Sequence, residues 1–438
     1  MGWALSSYLV AAHLLHPVWK MLLKRRIARG KEDLERVQER FGHPSEPRPA
    51  GRLLWVHALG IGEASAMLAV IRALKADQPN LSILLTTNTR TGADGLRRMG
   101  LPDGVIHQYA PIDTPGPTQR FLDHWRPNAM LLAELDLWPL MLRRCHARQV
   151  LVVMANARLT DHRYANRKRM RSLMAGMLGL IDRKFVQDDL TKKRLIHLGA
   201  GPETVAVAGI LKAAADPLPD RPDRDRVSAA IGGRPVWLAA AVEAAEIPAI
   251  MAAHKVAQAK IPDLLLIVAP RQITQSEAIA KQLAAAFDHR PARRSEGALP
   301  AQTDCVYLAD TMGEMGLWYR LAPISFIGHS LSIDTASLTG KNPFEAVALG
   351  SAVLHGPCTS NFAESYATLT QTGGARQVDG AEQLAGQIVA LCADTDARTR
   401  QCDAASRARE QARAALTMIA KAVQNALSQP SRGDLAED

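Results

Sequence analysis

Strand-sized apolar runs alternate with helix-sized segments along this chain, in two series separated by a polar stretch. In the first series Leu53–Ala58, Ser82–Thr87, Ala129–Glu134, Leu151–Asn156 and Lys184–Gln187 read as strands, with Val205–Ala208 as the last. The helices between them include Glu63–Ala76, Thr91–Met99, Pro115–Trp125, Pro139–Ala147 and Asp188–Leu198. The second series starts at Val236–Ala240 and continues through Leu264–Ala269, Cys305–Ala309, Ile324–Ile327 and Ala352–Leu354. This alternation is the pattern of parallel α/β folds. Between the series, Ala213–Arg226 mixes Asp, Pro and Arg with no apolar period and reads as a linker. A chain of 438 residues exceeds one ordinary domain, and 47% apolar residues can fill two cores. The expected architecture is α/β, with two Rossmann-like domains facing a cleft, over residues 31–212 and 227–427. A hydrophobic anchor and basic segment over 1–30 precedes them, 213–226 links them, and 428–438 is a disordered polar tail.

The formal charge of +10 favours anionic partners. Nucleic acid is not among them: the basic residues are not interleaved with aromatics, and no docking motif occurs. The five cysteines are scattered without CxxC spacing, which indicates neither a zinc site nor a disulfide framework and fits a reducing, cytoplasmic setting. Residues Trp3 to Val18 are mostly apolar, and Lys20, Lys24, Arg25, Arg26, Arg29 and Lys31 follow at once. The run is marginal for spanning a bilayer, so it reads as a short signal anchor or an interfacial helix, with a soluble helix packed on the body as the plain alternative. Positive residues after it would keep the rest of the chain in the cytoplasm. A basic stretch from Arg158 to Arg171 is a solvated face or a contact for anionic lipid headgroups.

Several residues fall where parallel sheets bind ligands, at the C-terminal edge. Glu63 follows a Gly-x-Gly turn between strand and helix; it is either a working carboxylate or a first-turn acid favoured by the helix dipole. Glu134 and Asp136 end an apolar strand before Trp138-Pro139, a costly place for acids unless they are paired or used. Lys212 lies at the interdomain hinge and is placed to meet developing negative charge, although lone lysines are usually solvated. Pro270-Arg271 ends a strand, where an arginine can fork onto phosphate. Gly313, Glu314 and Met315 open a helix after a strand, a natural anion seat with a plain glycine cap as the alternative. Asn342, Pro343, Phe344 and Glu345 precede a buried strand, and an acid placed there can take the hydroxyls of a ribose. Together these segments describe a nucleotide-monophosphate pocket. Asp-x-Asp occurs at Asp223–Asp225 and Asp394–Asp396, away from strand ends, so no metal site is expected.

These residues resemble the 3-deoxy-D-manno-octulosonic acid (Kdo) transferases of lipid A biosynthesis. The likeness runs from about Arg25 to Gln387. It is carried by Glu39-Arg-Phe-Gly42, Val56-His-Ala-x-x-x-Gly-Glu63, Thr86-Thr-Asn-Thr-x-Thr-Gly92, Glu134-x-Asp-Leu-Trp-Pro139 and Asn156-Ala-Arg-Leu159. It continues through Gly209-x-Leu-Lys212, Pro270-Arg271, Asp310-Thr-Met-Gly-Glu-Met315, Asn342-Pro-Phe-Glu345 and Gly356-Pro357. The resemblance implies the two-domain glycosyltransferase fold called GT-B and an inverting, metal-independent transfer of Kdo in lipopolysaccharide biosynthesis. CMP-Kdo would be the donor, with no other cofactor, and a phosphorylated glycolipid, the lipid A precursor lipid IV-A, the acceptor. It further implies that Glu63 is the general base, and that Glu134 and Lys212 stabilise the transition state. Pro270, Arg271, Gly313, Glu314, Met315, Asn342, Pro343, Phe344 and Glu345 would hold CMP.

The chain departs from the family pattern on the donor side. A Ser-Thr-His-type loop is replaced by Ala239-Ala-Ala-Val-Glu-Ala-Ala-Glu246, the His after Pro-Arg by Gln272, the Gly-His before Asn-Pro by Gly340-Lys341, and the second acid of Glu-x-Glu by Asp136. Competing readings are a diverged paralogue using another CMP-sugar or lipid acceptor, a non-catalytic membrane scaffold, and a sugar-nucleotide epimerase, which shares the two-domain plan.

Overall fold

The protein is described from a computed structural model covering residues 32–214, 217–331 and 338–429, together with 21, 23 and 25–27. The side chains of Ile61, Arg98 and Lys212 fall outside that description, as do the expected anchor Trp3–Val18 and residues 430–438 of the expected tail. Among the described residues no helix is long and apolar enough to cross a membrane. The chain divides into two compact units, Met1–Lys212 with Gln411–Asp438, and Ala213–Glu410.

The first unit is built on seven parallel strands: β1 (Leu53–His57), β2 (Ser82–Thr87), β3 (Val105–Tyr109), β4 (Ala129–Ala133), β5 (Leu151–Ala157), β6 (Arg183–Val186) and β7 (Val205–Val207), in the order β3-β2-β1-β4-β5-β6-β7. All five residues of β1 and all five of β4 are buried, because helices cover both faces of the sheet. Each fully buried Leu or Val there contributes about 1.5–3 kcal/mol by leaving water. On one face Trp55, Phe121 and Trp125 pack together; on the other, Leu54, Val56 and Met67 pack with Ile419 and Val423 of the final helix, Thr395–Ser428. The last part of that helix therefore belongs to the first unit, not to a second domain ending at 427. Its Ala415, Ile419, Val423 and Ala426 recur at helical spacing and present an apolar stripe that the first sheet's helices bury.

The second unit repeats the plan with β8 (Val236–Val242), β9 (Leu265–Pro270), β10 (Ala292–Arg293), β11 (Val306–Leu308), β12 (Ile324–Ile327), β13 (Ala352–His355) and β14 (Ala375–Gln377), all parallel, in the order β10-β11-β9-β8-β12-β13-β14. The segment expected as a free linker is docked on this unit, and its end forms a helix, Arg224–Ile231. Arg320 donates to the Leu218 carbonyl (2.9 Å), and Arg294 pairs with Asp223 (2.5 Å). Gly316 permits the approach, since a Cβ there would stand 2.1 Å from the Pro219 carbonyl oxygen.

Sheet order reverses between β1 and β4 in the first unit and between β8 and β12 in the second. Crevices at the C-terminal edge of such switch points are where open α/β sheets take ligands. Among the described residues seven non-glycines have positive φ; Arg126, Gln149 and Asp288 follow helices, whereas Glu134, Asn156, Ala241 and His329 sit at the C-terminal edges of β4, β5, β8 and β12. Backbone strain is thus concentrated on the two switch-point edges.

Candidate functional site

In the first unit, β1 runs into the turn Ala58-Leu59-Gly60 and the helix Ile61–Asp77, whose first turn carries Glu63. The Gly60 N–H donates to Glu63 Oε2 (3.2 Å), which holds the half-exposed carboxylate over the turn. The next helix, Arg90–Met99, begins beside it: Thr89 caps it by accepting from the Gly92 N–H (3.1 Å), and a Cβ on Gly92 would lie 2.9 Å from Thr89 Oγ1 and 3.4 Å from Gly60 Cα. The Thr-rich motif after β2 is therefore the wall against which the Glu63 turn is packed. Glu39-Arg-Phe-Gly42 braces that wall. Arg40 donates to Asn88 Oδ1 (3.1 Å), and Glu39 accepts from the Tyr109 N–H (2.6 Å).

Across the switch point, buried His57 at the end of β1 places Nε2 3.2 Å from Asp136 Oδ2 and Nδ1 2.9 Å from Thr86 Oγ1. Trp138 Nε1–H donates to the same Asp136 oxygen (2.9 Å). Burial pushes the Asp136 carboxyl up, but the bonds from His57 and Trp138 and the Arg167 charge together hold it below its usual range. Asp136 is thus an ionised partner that orients His57. Glu134 stands at φ 54°, with Arg163 Nη1 3.9 Å from its Oε2. The helix Pro139–Ala147 that follows is capped by buried Asp113, which accepts from the Leu140 and Met141 N–H groups (3.0 and 2.9 Å); burial pushes its pKa up to about 6. Lys212 lies in the turn Leu211–Ala214, which Asn156 Oδ1 secures by accepting from the Leu211 N–H (3.3 Å).

In the second unit, Arg271 follows β9 and is held from several sides. Its N–H donates to the Val242 carbonyl (2.9 Å), and its Nη1 lies 2.7 Å from Glu243 Oε1 and 2.7 Å from His329 Nε2. Gln275 donates to the other Glu243 oxygen (2.7 Å). Burial pushes Glu243 up, but the bonds from Arg271 and Gln275 keep its pKa low. Fully buried Glu246 accepts from four backbone N–H groups: Glu243 (2.9 Å), His329 (2.7 Å), Ser330 (3.0 Å) and Leu331 (3.0 Å). One carboxylate thereby fastens the end of β8 to the end of β12. Burial, and then the Arg271 charge, depress the Lys341 pKa, so Lys341 is a half-buried ammonium near Arg271. Glu345, in the short helix Phe344–Val347, has its pKa raised by burial and opposed by Lys341. Asn342 Oδ1 accepts from the Phe344 N–H (3.1 Å) and shapes that turn, while Phe344 is core.

A family model described as 3-deoxy-D-manno-octulosonic-acid transferase (kdotransferase) matches residues 35–215. A Haemophilus influenzae protein named 3-deoxy-D-manno-octulosonic acid transferase is 32% identical over 381 residues, covering 84% of this chain and 85% of that protein. One of the same name from Bordetella pertussis is 33% identical over 414 residues, covering 91% and 94%. The chain belongs to the Kdo transferase family. Among solved structures, the UDP-GlcNAc 2-epimerase of Neisseria meningitidis bound to UDP-GlcNAc shares the fold, with a TM-score of 0.52 at 15% identity, covering 86% of this chain and all (100%) of that one.

The Kdo transferase architecture sorts the expected residues. Glu63, Glu134 and Asp136 flank one switch point, and Arg271, Lys341, Asn342 and Glu345 gather around the other. Pro270 closes β9, and Pro343 starts the Phe344 turn. The Glu314 side chain is engaged within its own unit. Its carboxylate is bonded to Arg294 (2.9 and 3.1 Å) and Thr311 and lies 3.3 Å from Arg221, so it fastens the segment after Lys212. Gly313 (φ 77°) and Met315 leave that turn only backbone and an apolar side chain to offer a ligand. Sequence reading missed His57 and His329 as site residues, and it read Glu243 and Glu246 only as parts of a changed wall. Their defining partners are distant in sequence, Asp136 by 79 residues from His57, Arg271 by 58 from His329 and by 28 from Glu243, and Leu331 by 85 from Glu246, so no local spacing reports them. Among the described residues there is no cluster of three or more metal-ligating side chains.

Proposed function

We propose that this protein transfers Kdo from CMP-Kdo to the lipid A precursor at the cytoplasmic face of the inner membrane, with inversion and without a metal ion. The reading is carried by likeness to proteins named as Kdo transferases over nine-tenths of the chain (91%), which includes both switch-point edges. Glu63 takes the proton of an acceptor hydroxyl through the oxygen not bonded to Gly60; the freed oxygen pair attacks the anomeric carbon of Kdo from the face opposite the phosphate. The bond from that carbon to the phosphate oxygen breaks, its electron pair stays on the departing CMP, and Arg271 and Lys341 meet the charge. Glu134 and Lys212 act on charge developing around the transferred sugar. Glu345 takes ribose hydroxyls; Pro270, Asn342, Pro343 and Phe344, with the backbone at Gly313, Glu314 and Met315, shape the rest of the CMP seat.

Membrane attachment is assigned to the apolar run Trp3–Val18 and the basic residues after it, by their sequence alone. The helix Asp161–Lys168 supports a lipid-facing side, since it buries no residue and carries Arg163, Arg167 and Lys168. Incubation of the full chain with CMP-Kdo and lipid IV-A, followed by mass spectrometry of the lipid, tests the reading. A mass increase of one or more Kdo units is expected; an unchanged lipid with a donor that nonetheless binds would point to another acceptor, and no donor binding would refute the proposal.

A further inference from the structure

His329 is the residue at the second switch point to which the reaction scheme above gives no task. It follows β12 at φ 57°, a conformation that costs a non-glycine residue about 1–3 kcal/mol and persists only where the surroundings impose it. Its surroundings do impose it. The His329 N–H donates to Glu246 (2.7 Å), its carbonyl accepts from the Gly340 N–H (2.7 Å), and its Nδ1 accepts from the Thr339 N–H (2.9 Å). Burial and the charges of Arg271 and Lys341 hold its pKa below the usual range, so the ring is neutral. A neutral imidazole that accepts at Nδ1 carries its proton on Nε2.

That Nε2–H stands 2.7 Å from Arg271 Nη1, which is itself a donor with no lone pair. Two donors cannot satisfy each other; they come this close only around an acceptor they can share. Glu243 Oε1 serves Arg271 at 2.7 Å but lies 3.7 Å from His329 Nε2, beyond hydrogen-bond reach. The imidazole, only 5% exposed, thus presents a donor that no described residue accepts. The same corner already attracts one oxyanion, the Glu243 carboxylate, and Lys341 adds a further positive charge nearby.

We propose that His329 is a binding residue for the donor, its Nε2–H and the Arg271 guanidinium converging on one anionic oxygen of the nucleotide sugar. The inference rests on the donor-site reading under Proposed function and extends it to a residue that reading leaves unassigned. The oxygen belongs either to the nucleotide phosphate or to the carboxylate of the sugar, and the test separates the two.

The experiment is calorimetric titration of the full chain in detergent with cytidine, CMP and CMP-Kdo, on the parent and on His329→Gly. Glycine suits φ 57° but gives up the bond from the Thr339 N–H, so a melting curve first establishes that the variant is folded. A phosphate contact predicts roughly tenfold weaker binding of both CMP and CMP-Kdo, with cytidine unchanged. A carboxylate contact predicts the same loss for CMP-Kdo alone. Unchanged affinity for CMP and CMP-Kdo overturns the proposal, whereas a parent protein that binds neither overturns the donor-site reading itself. Should the glycine variant not fold, His329→Asn, tolerated at left-handed φ but too short to keep the 2.7 Å approach to Arg271, carries the same test.

Discussion

At the switch between β1 and β4 the first unit sets His57 against Asp136 and ends its neighbouring segments in Glu63 and Glu134; at the switch between β8 and β12 the second sets His329 against Arg271, with Lys341 nearby. The sheets are alike and the edges correspond, but their charged groups are paired differently. In the first edge the cations are committed: Arg163 stands by Glu134, and Arg167 donates to the Leu135 carbonyl (3.1 Å). In the second the carboxylates are committed, Glu243 to Arg271 and Gln275, Glu246 to backbone N–H groups. In this account the first edge offers the Glu63 carboxylate to the acceptor, and the second offers Arg271 and Lys341 to the phosphate. A hydroxyl that must lose a proton fits the first, and a phosphate that must gain charge fits the second.

The sharpest way to break this contrast is to remove the cation of the second edge. Arg271→Ala should lower kcat by roughly 10²–10³-fold, the usual cost of deleting one charge-stabilising donor, and should raise the KM for CMP-Kdo but not that for the acceptor. Steady-state kinetics varying each substrate checks it; an equal rise in KM for both substrates would erase the division of labour. Glu246→Ala leaves four backbone N–H groups without their acceptor, and should lower the unfolding free energy by more than about 3 kcal/mol, read by urea denaturation. A near-neutral result would mean that the second edge is not held by this carboxylate.

The smallest effect concerns the first edge. Asp113 has a folded pKa of about 6 against a usual 3.8, so the folded state binds its proton more tightly. Its contribution is therefore most favourable below pH 4 and is lost as pH rises through 6, by no more than about 3 kcal/mol at 1.36 kcal/mol per unit. The stability difference, parent minus Asp113→Asn, should be more positive at pH 4 than at pH 7. A difference that grows with pH would contradict the assignment.

Most strands were legible because burial on both faces demands nearly unbroken apolar sequence, as in Leu53–His57 and Leu265–Pro270. β3 escaped because it contains His107 and Gln108, whose burial is compensated by distant partners, Thr87 and Trp125. β10 and β14, of two and three residues, are too short to leave a pattern. The acids and Arg271 at strand ends could be found from position alone. The pairings that give them character, His57 with Asp136 and His329 with Arg271, join residues far apart in sequence. The pairing of the Glu314 carboxylate with Arg294 and Arg221 is likewise announced by nothing in its local motif.

The account's central claim is that the first edge supplies the base and the second the donor seat. Measuring CMP binding and Kdo transfer on one preparation of folded Glu63→Gln tests it most directly. The account predicts a parental dissociation constant for CMP together with a fall in transfer of roughly 10²–10⁴-fold. Transfer at the parental rate, or a loss of CMP affinity that matches the loss of transfer, would contradict it.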